Sequence, residues 1–438
     1  MNILSKVRLV VLFGLISGMA WSQQVLSLEE AVQIALENNF QVQILRNNED
    51  IAANSNTYGN AGYLPRVSTT GTVTYSSNNT EQKFFSGDTR TGVGAGNTSA
   101  RAGLEATWTA FDGFRMFATK ERLDMLESRS HVLTQQEMHG IATDVQLAYY
   151  ELVRLQQQIG ITETSIELNQ SLRRLASDKL RLGASTELEV LQATNAVNAD
   201  SSALLNRQEQ LRQAKMAFNL LLGRESDIAF GVPETIDPIV MPALDALTQQ
   251  ALDHNYQLSL LDVDQRLAAI TIKEAKADLY PRLNLNLGYS FSYSRAEVGF
   301  LLSNRTFGPT GGVSLTYDLF TGRNLKKDIA NANIYQDNIQ LSRKDLTLNI
   351  RSTMSQLFQQ YQSLLQVREL ELRNVETSTR NTELARQLYQ AGRATDYAVR
   401  EAILLETQVK DRLSDYSYRM KMAELQMKSL AGMPMYGE

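Results

Sequence analysis

Several segments of the chain alternate strictly between apolar and polar residues, as β-strands with one apolar face do. The clearest is 283–294, with further runs at 313–320 and 102–110 and a weaker one at 67–75. The first of these places on one face Leu283, Leu285, Leu287, Tyr289, Phe291 and Tyr293. The pattern is typical of a half-buried sheet in a soluble sandwich, and also of a membrane barrel that is apolar outside and polar toward its lumen.

Four strands are too few to close a barrel, because the smallest membrane barrels have about eight strands. Since open sheet edges are not tolerated in lipid, a barrel here requires several chains, and three chains would supply twelve strands. The polar, glycine-rich segments 76–99 and 294–310 are predicted to be solvent-facing loops at the strand tips. Four aromatic residues are candidates for an interfacial girdle or for sheet packing: Trp108, Tyr289, Tyr293 and Tyr317.

Long proline-free stretches predict long helices. The segment 113–182 would measure about 100 Å if it were helical throughout. Ile141, Val145, Leu152 and others step by four and three, which is the spacing of a left-handed coiled coil. Ile350, Met354, Leu357, Tyr361 and Leu364 repeat the spacing. Such a helix cannot bury its apolar seam alone, so it needs partner helices.

The chain reads as one unit written twice. The segment LEEAVQIALENNFQVQI from Leu28 resembles LDALTQQALDHNYQLSL from Leu244. Further matches pair Phe111 with Phe320 and Gly183 with Gly392. Each copy is predicted to contain a first helix of about 30 residues ending near Pro65 or Pro281, two strands, a very long helix and a return helix. The predicted repeats are 23–230 and 231–438, joined by an extended linker at 231–242.

Residues 1–22 have the features of a secretory signal peptide. Lys6 and Arg8 precede an apolar run at 9–19, and small residues follow at 20 and 22. This run is too short for a membrane-spanning helix, which needs about 20 apolar residues. We predict cleavage before Gln23 and export of the mature chain.

Composition excludes several kinds of chemistry. The chain has no cysteine, three histidines and a formal net charge of −5. We therefore expect no metal site, no cofactor and no nucleic-acid partner. No nucleophile, phosphate-binding or zinc-protease motif occurs, so no catalytic residue is predicted and the protein is not expected to be an enzyme.

A glycine interrupts each long helical stretch. Gly183 and Gly392 are predicted to end their helices in a left-handed conformation. Ser185 or Thr186 would cap the return helix of the first copy, and Thr395 or Asp396 that of the second. Each break therefore predicts a tight helical hairpin, and a simple turn without function is the alternative.

The chain resembles the TolC-type outer membrane efflux factors from Gln23 to about Met433. The signal peptide, the duplication, two strands per copy and the two hairpins carry the resemblance, as does a Phe-x-Gly sequence before each long helix, at 111–113 and 320–322. Asn39-Phe40 and Asn255-Tyr256 stand where the family often has Asn-Pro, which we expect to change little.

The resemblance implies a mixed α and β fold: a homotrimer with a 12-stranded outer membrane β-barrel, four strands per protomer, continued by a long periplasmic α-helical coiled-coil barrel. It implies a passive export duct in the outer membrane lipid of a Gram-negative-type cell. The partners would be a periplasmic adaptor (membrane fusion protein) and an inner-membrane pump, in a tripartite efflux or type I secretion system. An exported coiled-coil scaffold or adhesin without a pore is the alternative.

The resemblance also suggests residues for the periplasmic entrance. Family tips often carry acids six and nine residues after the glycine, where this chain has Glu189 and Gln192 in the first copy and Ala398 and Glu401 in the second. Tyr389 matches a tyrosine of the family's closing network. The predicted entrance residues are Glu189, Gln192, Tyr389, Arg393, Asp396 and Glu401. The predicted adaptor-contacting tips are Leu182, Gly183, Ala184 and Ser185, and Gly392, Arg393, Ala394 and Thr395.

Three copies of one acid around an axis would form a carboxylate ring, which favours cations at a constriction. We expect Glu401, with Glu189 or Asp396, to line the entrance. The alternative is that these residues are ordinary solvated acids of a hairpin.

Overall fold

The computed structural model describes residues 25–237 and 239–434. The predicted signal peptide at 1–22, its cleavage before Gln23, and Pro238 of the linker lie outside these residues. The remaining linker positions carry no helix or strand, and Gly231 forms a single parallel bridge with Val25.

Helices and strands follow the same order in both halves of the chain. The first half has α1 (Leu28–Asn38), α2 (Phe40–Ser55), β1 (Arg66–Lys83), β2 (Thr89–Phe111), α3 (Arg115–Arg181) and α4 (Glu187–Leu221). The second has α5 (Leu244–His254), α6 (Tyr256–Ala277), β3 (Arg282–Ala296), β4 (Ser303–Thr316), α7 (Asn324–Gln390) and α8 (Asp396–Leu430). The two long helices have 67 residues each and the two return helices 35 each. Within the described residues, no helix has an apolar stretch long enough to cross a membrane.

The prediction of one helix of about 30 residues at the start of each copy was wrong. Asn39 separates α1 from α2, and Asn255 separates α5 from α6. Each asparagine has extended backbone angles, and its side chain accepts a hydrogen bond from the backbone N–H of Gln41 or of Gln257. An asparagine N-cap thus ends the first helix of each pair and begins the second.

The predicted alternation of the strands is confirmed. The four strands form one antiparallel sheet in the order β1-β2-β3-β4. The register aligns Val67, Ala106 and Leu287 with one another, and likewise Trp108, Leu285 and Val313. Because side chains alternate along a strand, this register gathers the apolar positions on one face. Val67, Leu287 and Val313 are exposed, so nothing in the described part of the chain covers that face.

The predicted loops at 76–99 and 294–310 were wrong. β1 continues to Lys83 and β2 begins at Thr89, so only 84–88 forms a turn. The glycine-rich 92–96 therefore lies in a strand, at a register shift between Asn78 and Thr80. β4 begins at Ser303 and ends at Thr316, before the predicted strand positions 317–320. These polar segments are held by backbone ladders, which require no apolar pattern.

Most positions of the predicted helical seams are buried, and Ala148 and Leu357 are partly buried. Val145, Leu152, Leu155 and Ile159 are buried on α3, and Ile350, Met354, Tyr361 and Leu364 on α7. The described chain forms two compact units, one of residues 25–35, 145–237 and 364–421, and one of residues 36–144, 239–363 and 422–434. The first unit holds both hairpins and the second holds the sheet. Each unit takes segments from both halves of the chain, and the division into repeats at 230/231 stays a prediction.

Candidate functional site at the helical hairpin tips

Both hairpins turn through the same backbone geometry. Gly183 has a φ of 75° and Gly392 a φ of 73°, as the sequence predicted. The N–H of Ala184 donates to the carbonyl of Lys179 at 2.8 Å, and that of Arg393 donates to the carbonyl of Leu388 at 2.8 Å. These bonds define a Schellman turn, in which a left-handed residue closes the helix.

A threonine caps the return helix of each hairpin. The Thr186 hydroxyl accepts a hydrogen bond from the Glu189 N–H at 3.3 Å, and the Thr395 hydroxyl accepts one from the Ala398 N–H at 3.3 Å. Of the caps considered from sequence, Thr186 and Thr395 therefore serve in that role. This bond satisfies one of the free N–H groups at each helix start.

Tyr389 is the centre of the contact between the hairpins. Its side chain is only 3% exposed and packs in a cluster with Leu172, Val399 and Ile403. Its hydroxyl donates a hydrogen bond to Glu189 Oε2 at 3.1 Å. The Ser185 hydroxyl donates to the same oxygen at 2.5 Å. The phenol and the carboxylate, 200 residues apart in sequence, thus join the second hairpin to the first.

Lys179 completes this contact and was missed from the sequence. Its ammonium donates to the carbonyl oxygen of Tyr389 and lies 3.7 Å from the centroid of the Tyr389 ring. An ammonium above an aromatic face is attracted by the ring's electron density. Because Lys179 belongs to the last turn of α3 and Tyr389 to that of α7, no pattern along one helix indicates the pair.

Burial raises the pKa of Tyr389 to about 12, and the negative charge of Glu189 and its hydrogen bond to the phenol act in the same direction. A buried phenol that donates to a carboxylate keeps its proton, since a phenolate there would face another negative charge. The link between the hairpins is therefore intact at neutral pH.

Arg400 makes a second link between the hairpins. Its guanidinium lies 2.9 Å from Asp396 Oδ2 and donates to Gln192 Oε1 at 2.7 Å. Asp396 is 6% exposed, so its charge is compensated within the chain rather than presented to solvent. Arg400 was not predicted from the sequence, although the four-residue spacing to Asp396 is the ordinary helical signal for such a pair.

The structure brings together four of the six predicted entrance residues: Tyr389 with Glu189, and Asp396 with Gln192 through Arg400. Glu401 and Arg393 are exposed, and within the described residues their side chains make no hydrogen bond or ion pair. Of the predicted contact residues, Leu182 is 83% exposed, while Ser185 and Ala394 are partly buried. The roles of all these residues at an entrance or docking surface stay predictions.

Known proteins of similar sequence are named for export or for efflux. The pyoverdine export outer membrane protein OpmQ of Pseudomonas aeruginosa is 23% identical over 218 residues, which cover 49% of this chain and 46% of that protein. The cation efflux system protein CusC of Escherichia coli is 21% identical over 342 residues, covering 77% of this chain and 74% of that protein. The chain thus spans about half the length of the first relative and about three quarters of the second.

A solved structure extends the likeness to nearly the whole chain. The outer-membrane channel OprN superposes with a TM-score of 0.76 at 17% identity, covering 93% of this chain and 90% of that one. This likeness confirms the predicted fold class, with its barrel strands and long helices. The family described as outer membrane efflux protein matches residues 31–224 and 247–433. The chain therefore belongs to the outer membrane efflux protein family.

Proposed function

We propose that this protein is a passive export duct of the outer membrane. One observation carries the proposal: the sheet has one apolar, exposed face and two strands, β1 and β4, that have a single partner each within the described residues. An uncovered apolar face suits lipid, but the two open edges do not. Both conditions are met if further copies continue the sheet into a closed barrel.

The copy number we propose is three. Three sheets of four strands give a barrel of twelve, above the minimum of about eight strands for a membrane barrel. The channels of this family are trimeric and work with efflux systems. β1 and β4 of neighbouring copies would pair antiparallel, because successive strands of the sheet alternate in direction.

The helical part would lie in the periplasm after removal of the signal peptide. Its hairpin tips would dock onto a periplasmic adaptor, which joins the duct to an inner-membrane pump. Support comes from Leu182, an apolar side chain that is 83% exposed at the first tip. Leu188, in the first turn of α4, is also 63% exposed, and apolar residues exposed together mark protein contact surfaces.

We place the entrance at the same tips. The links of Tyr389 to Glu189 and of Arg400 to Gln192 would hold the two hairpins of one chain together in the closed duct. Arg393 and Glu401, whose side chains have no partner in the described chain, would face other copies or the lumen. The duct itself would catalyse no reaction. Relatives named for pyoverdine export and for cation efflux are similarly distant from this chain, which fits substrate choice by the pump.

The deciding experiment is planar-bilayer conductance of the detergent-purified protein, with its mass measured on the same sample. We expect discrete conductance steps from a trimer of the chain. A protein that stays soluble without detergent and conducts no ions would contradict the duct and favour the exported coiled-coil scaffold.

The entrance assignment is tested by Glu401→Lys in the same bilayers. Reversing three charges at a constriction should lower the preference for cations and change the conductance. Unchanged conductance and ion selectivity would place Glu401 away from the lumen.

Docking is tested by Leu182→Asp in host cells that lack the natural chain. We expect loss of dye efflux while the purified variant keeps the wild-type conductance. Normal efflux would show that this tip is not needed for the adaptor.

A further inference from the structure

A cluster of large apolar residues is exposed at the turns that join the strands. Phe85 is fully exposed in the turn between β1 and β2. Phe300, Leu301 and Leu302 are all exposed in the connection between β3 and β4. Large apolar side chains of this kind mark contact sites when several stand together.

Both groups adjoin the free edges of the sheet. Phe85 follows the end of β1 at Lys83, and Leu302 immediately precedes the start of β4 at Ser303. β1 and β4 are the outer strands of the four. A second copy added to either edge would therefore meet one of these groups.

The connection between β3 and β4 is held in place by the neighbouring hairpin. The Gly96 N–H donates to the Glu297 carboxylate at 2.7 Å, and the Arg90 guanidinium donates to the carbonyl of Gly299 at 3.0 Å. A Cβ on Gly92 would lie 2.5 Å from a methyl carbon of Val298, so the absence of a side chain there admits this segment. The apolar residues that follow are thus presented by a supported backbone.

The segment between β3 and β4 reaches the level of the turn between β1 and β2 within one chain. A Cβ on Gly299 would lie 3.7 Å from Oε1 of Gln82, one residue before the end of β1 at Lys83. Phe300 follows Gly299 directly, and Phe85 lies two residues beyond Lys83. Because the copies of a closed barrel are related by rotation about its axis, Phe85 of one copy and Phe300 of the next would stand at a similar level.

We propose that Phe85 of one copy packs against Phe300, Leu301 and Leu302 of the adjacent copy, forming an apolar seal at the turn end of each junction between sheets. The partner is a second copy of this chain, because the apolar residues lie at the two edges that copies must join. This inference rests on the proposed trimeric duct. The seal would protect the ends of the β4–β1 ladder from water and from exchange of copies.

Disulfide cross-linking tests the contact directly, because the chain has no cysteine of its own. Phe85→Cys is combined in one chain with Phe300→Cys, with Leu301→Cys or with Leu302→Cys. Each purified variant is oxidised with diamide, which accepts the two electrons and two protons released as one S–S bond forms. A bond requires Cα atoms within about 7 Å, so the three pairs scan the proposed contact.

We expect covalent dimers and trimers on a non-reducing gel for at least one pair, since a bond between copies raises the mass. If all three pairs stay monomeric on the gel, the seal does not exist. The control combines Phe85→Cys with Val93→Cys, which is also fully exposed but lies on the inner strand β2. Equal cross-linking of the control would mean random collision and would also overturn the seal.

The mass of the unoxidised variants in detergent separates this inference from the proposed duct. Trimers without cross-links would refute only the seal. A monomeric wild-type protein without conductance would refute the duct and the seal together.

Discussion

The two hairpin tips share one backbone and differ in almost every side chain that matters. Each has a left-handed glycine, the same Schellman hydrogen bonds and a threonine cap three residues later. Yet Leu180 of the first hairpin stands where the second has Tyr389, and Leu191 stands where the second has Arg400. The glycine and threonine determine the turn, while the other positions are free to carry separate chemistry.

The difference makes the contact between the hairpins complementary. The second hairpin contributes a phenol and a guanidinium, and the first contributes the carboxylate, amide and ammonium that bind them. Two identical hairpins could not form this contact, because each would present the same donors. The tips also differ in exposed apolar surface, since the first tip exposes Leu182 where the second has Ala391.

The largest effect is expected from truncating Tyr389. Tyr389→Ala should lower the free energy for opening the hairpins by about 3–5 kcal/mol, because a buried aromatic leaves a cavity and Glu189 loses its donor. Leu180→Ala, at the equivalent position of the first hairpin, is 37% exposed and should cost less than about 1 kcal/mol. Hydrogen exchange at the last turn of α7 measures both values.

If Tyr389→Ala and Leu180→Ala lowered the free energy for opening the hairpins equally, the two hairpins would not differ as described. Burial of Tyr389 would then contribute nothing to the contact. Tyr389→Phe is the matched control for packing. It keeps the ring beneath the Lys179 ammonium and removes only the bond to Glu189, so its cost should be closer to the roughly 1.5–3 kcal/mol of a hydrogen bond to a charged group.

An intermediate effect is expected at the two glycines, and it should be the same for both. Gly183→Ala and Gly392→Ala should each cost about 1–2 kcal/mol, because an alanine is strained in the left-handed region. No neighbouring atom lies within 4 Å of the Cβ that either substitution adds, so strain is the main term at both sites. A difference of several kcal/mol between the two in the same exchange experiment would mean that the turns are not equivalent.

The sequence predicted the sheet faces and the long helices well, and for the same physical reason. A period of two or of seven in side-chain polarity indicates which residues lie on the buried face of a strand or a helix. The end of β1 and the start of β2 show no such period, because both faces of the sheet are polar there. Gly94, whose φ is 65°, lies at a bulge in β2. Glycine is typical of loops, so the sequence predicted a loop there.

The turns of the candidate site were readable because a helix end depends on local residues. Gly183, Gly392 and the threonine caps all act within a few positions of themselves. The role of Lys179 could not be predicted from the sequence, since its partner Tyr389 lies on another helix 210 residues away. The ion pair of Arg400 with Asp396 could have been predicted, because the two residues are four apart on the same helix. Its bond to Gln192 could not, because Gln192 belongs to the other hairpin.

The smallest effect at neutral pH, and the most specific, concerns the proton of Tyr389. Burial and the Glu189 carboxylate raise its pKa to about 12, above the usual value of about 10. The folded hairpin therefore holds this proton more tightly than the unfolded chain does. The resulting stabilisation is complete below pH 10 and is lost as the pH rises toward 12.

Alkaline titration followed by phenolate absorbance, taken as the difference between the wild type and Tyr389→Phe, isolates this group among the 17 tyrosines. We expect the difference to titrate near pH 12, and Glu189→Gln to lower that pH only in part, because the neighbouring charge is gone while burial, the largest cause of the raised pKa, remains. Leu180 offers the first hairpin no counterpart, so the alkaline weakening should begin at the second tip. A difference that titrates near pH 10 in the wild type would mean that the phenol is neither buried nor joined to Glu189, and the two hairpins would then differ in sequence without differing in chemistry.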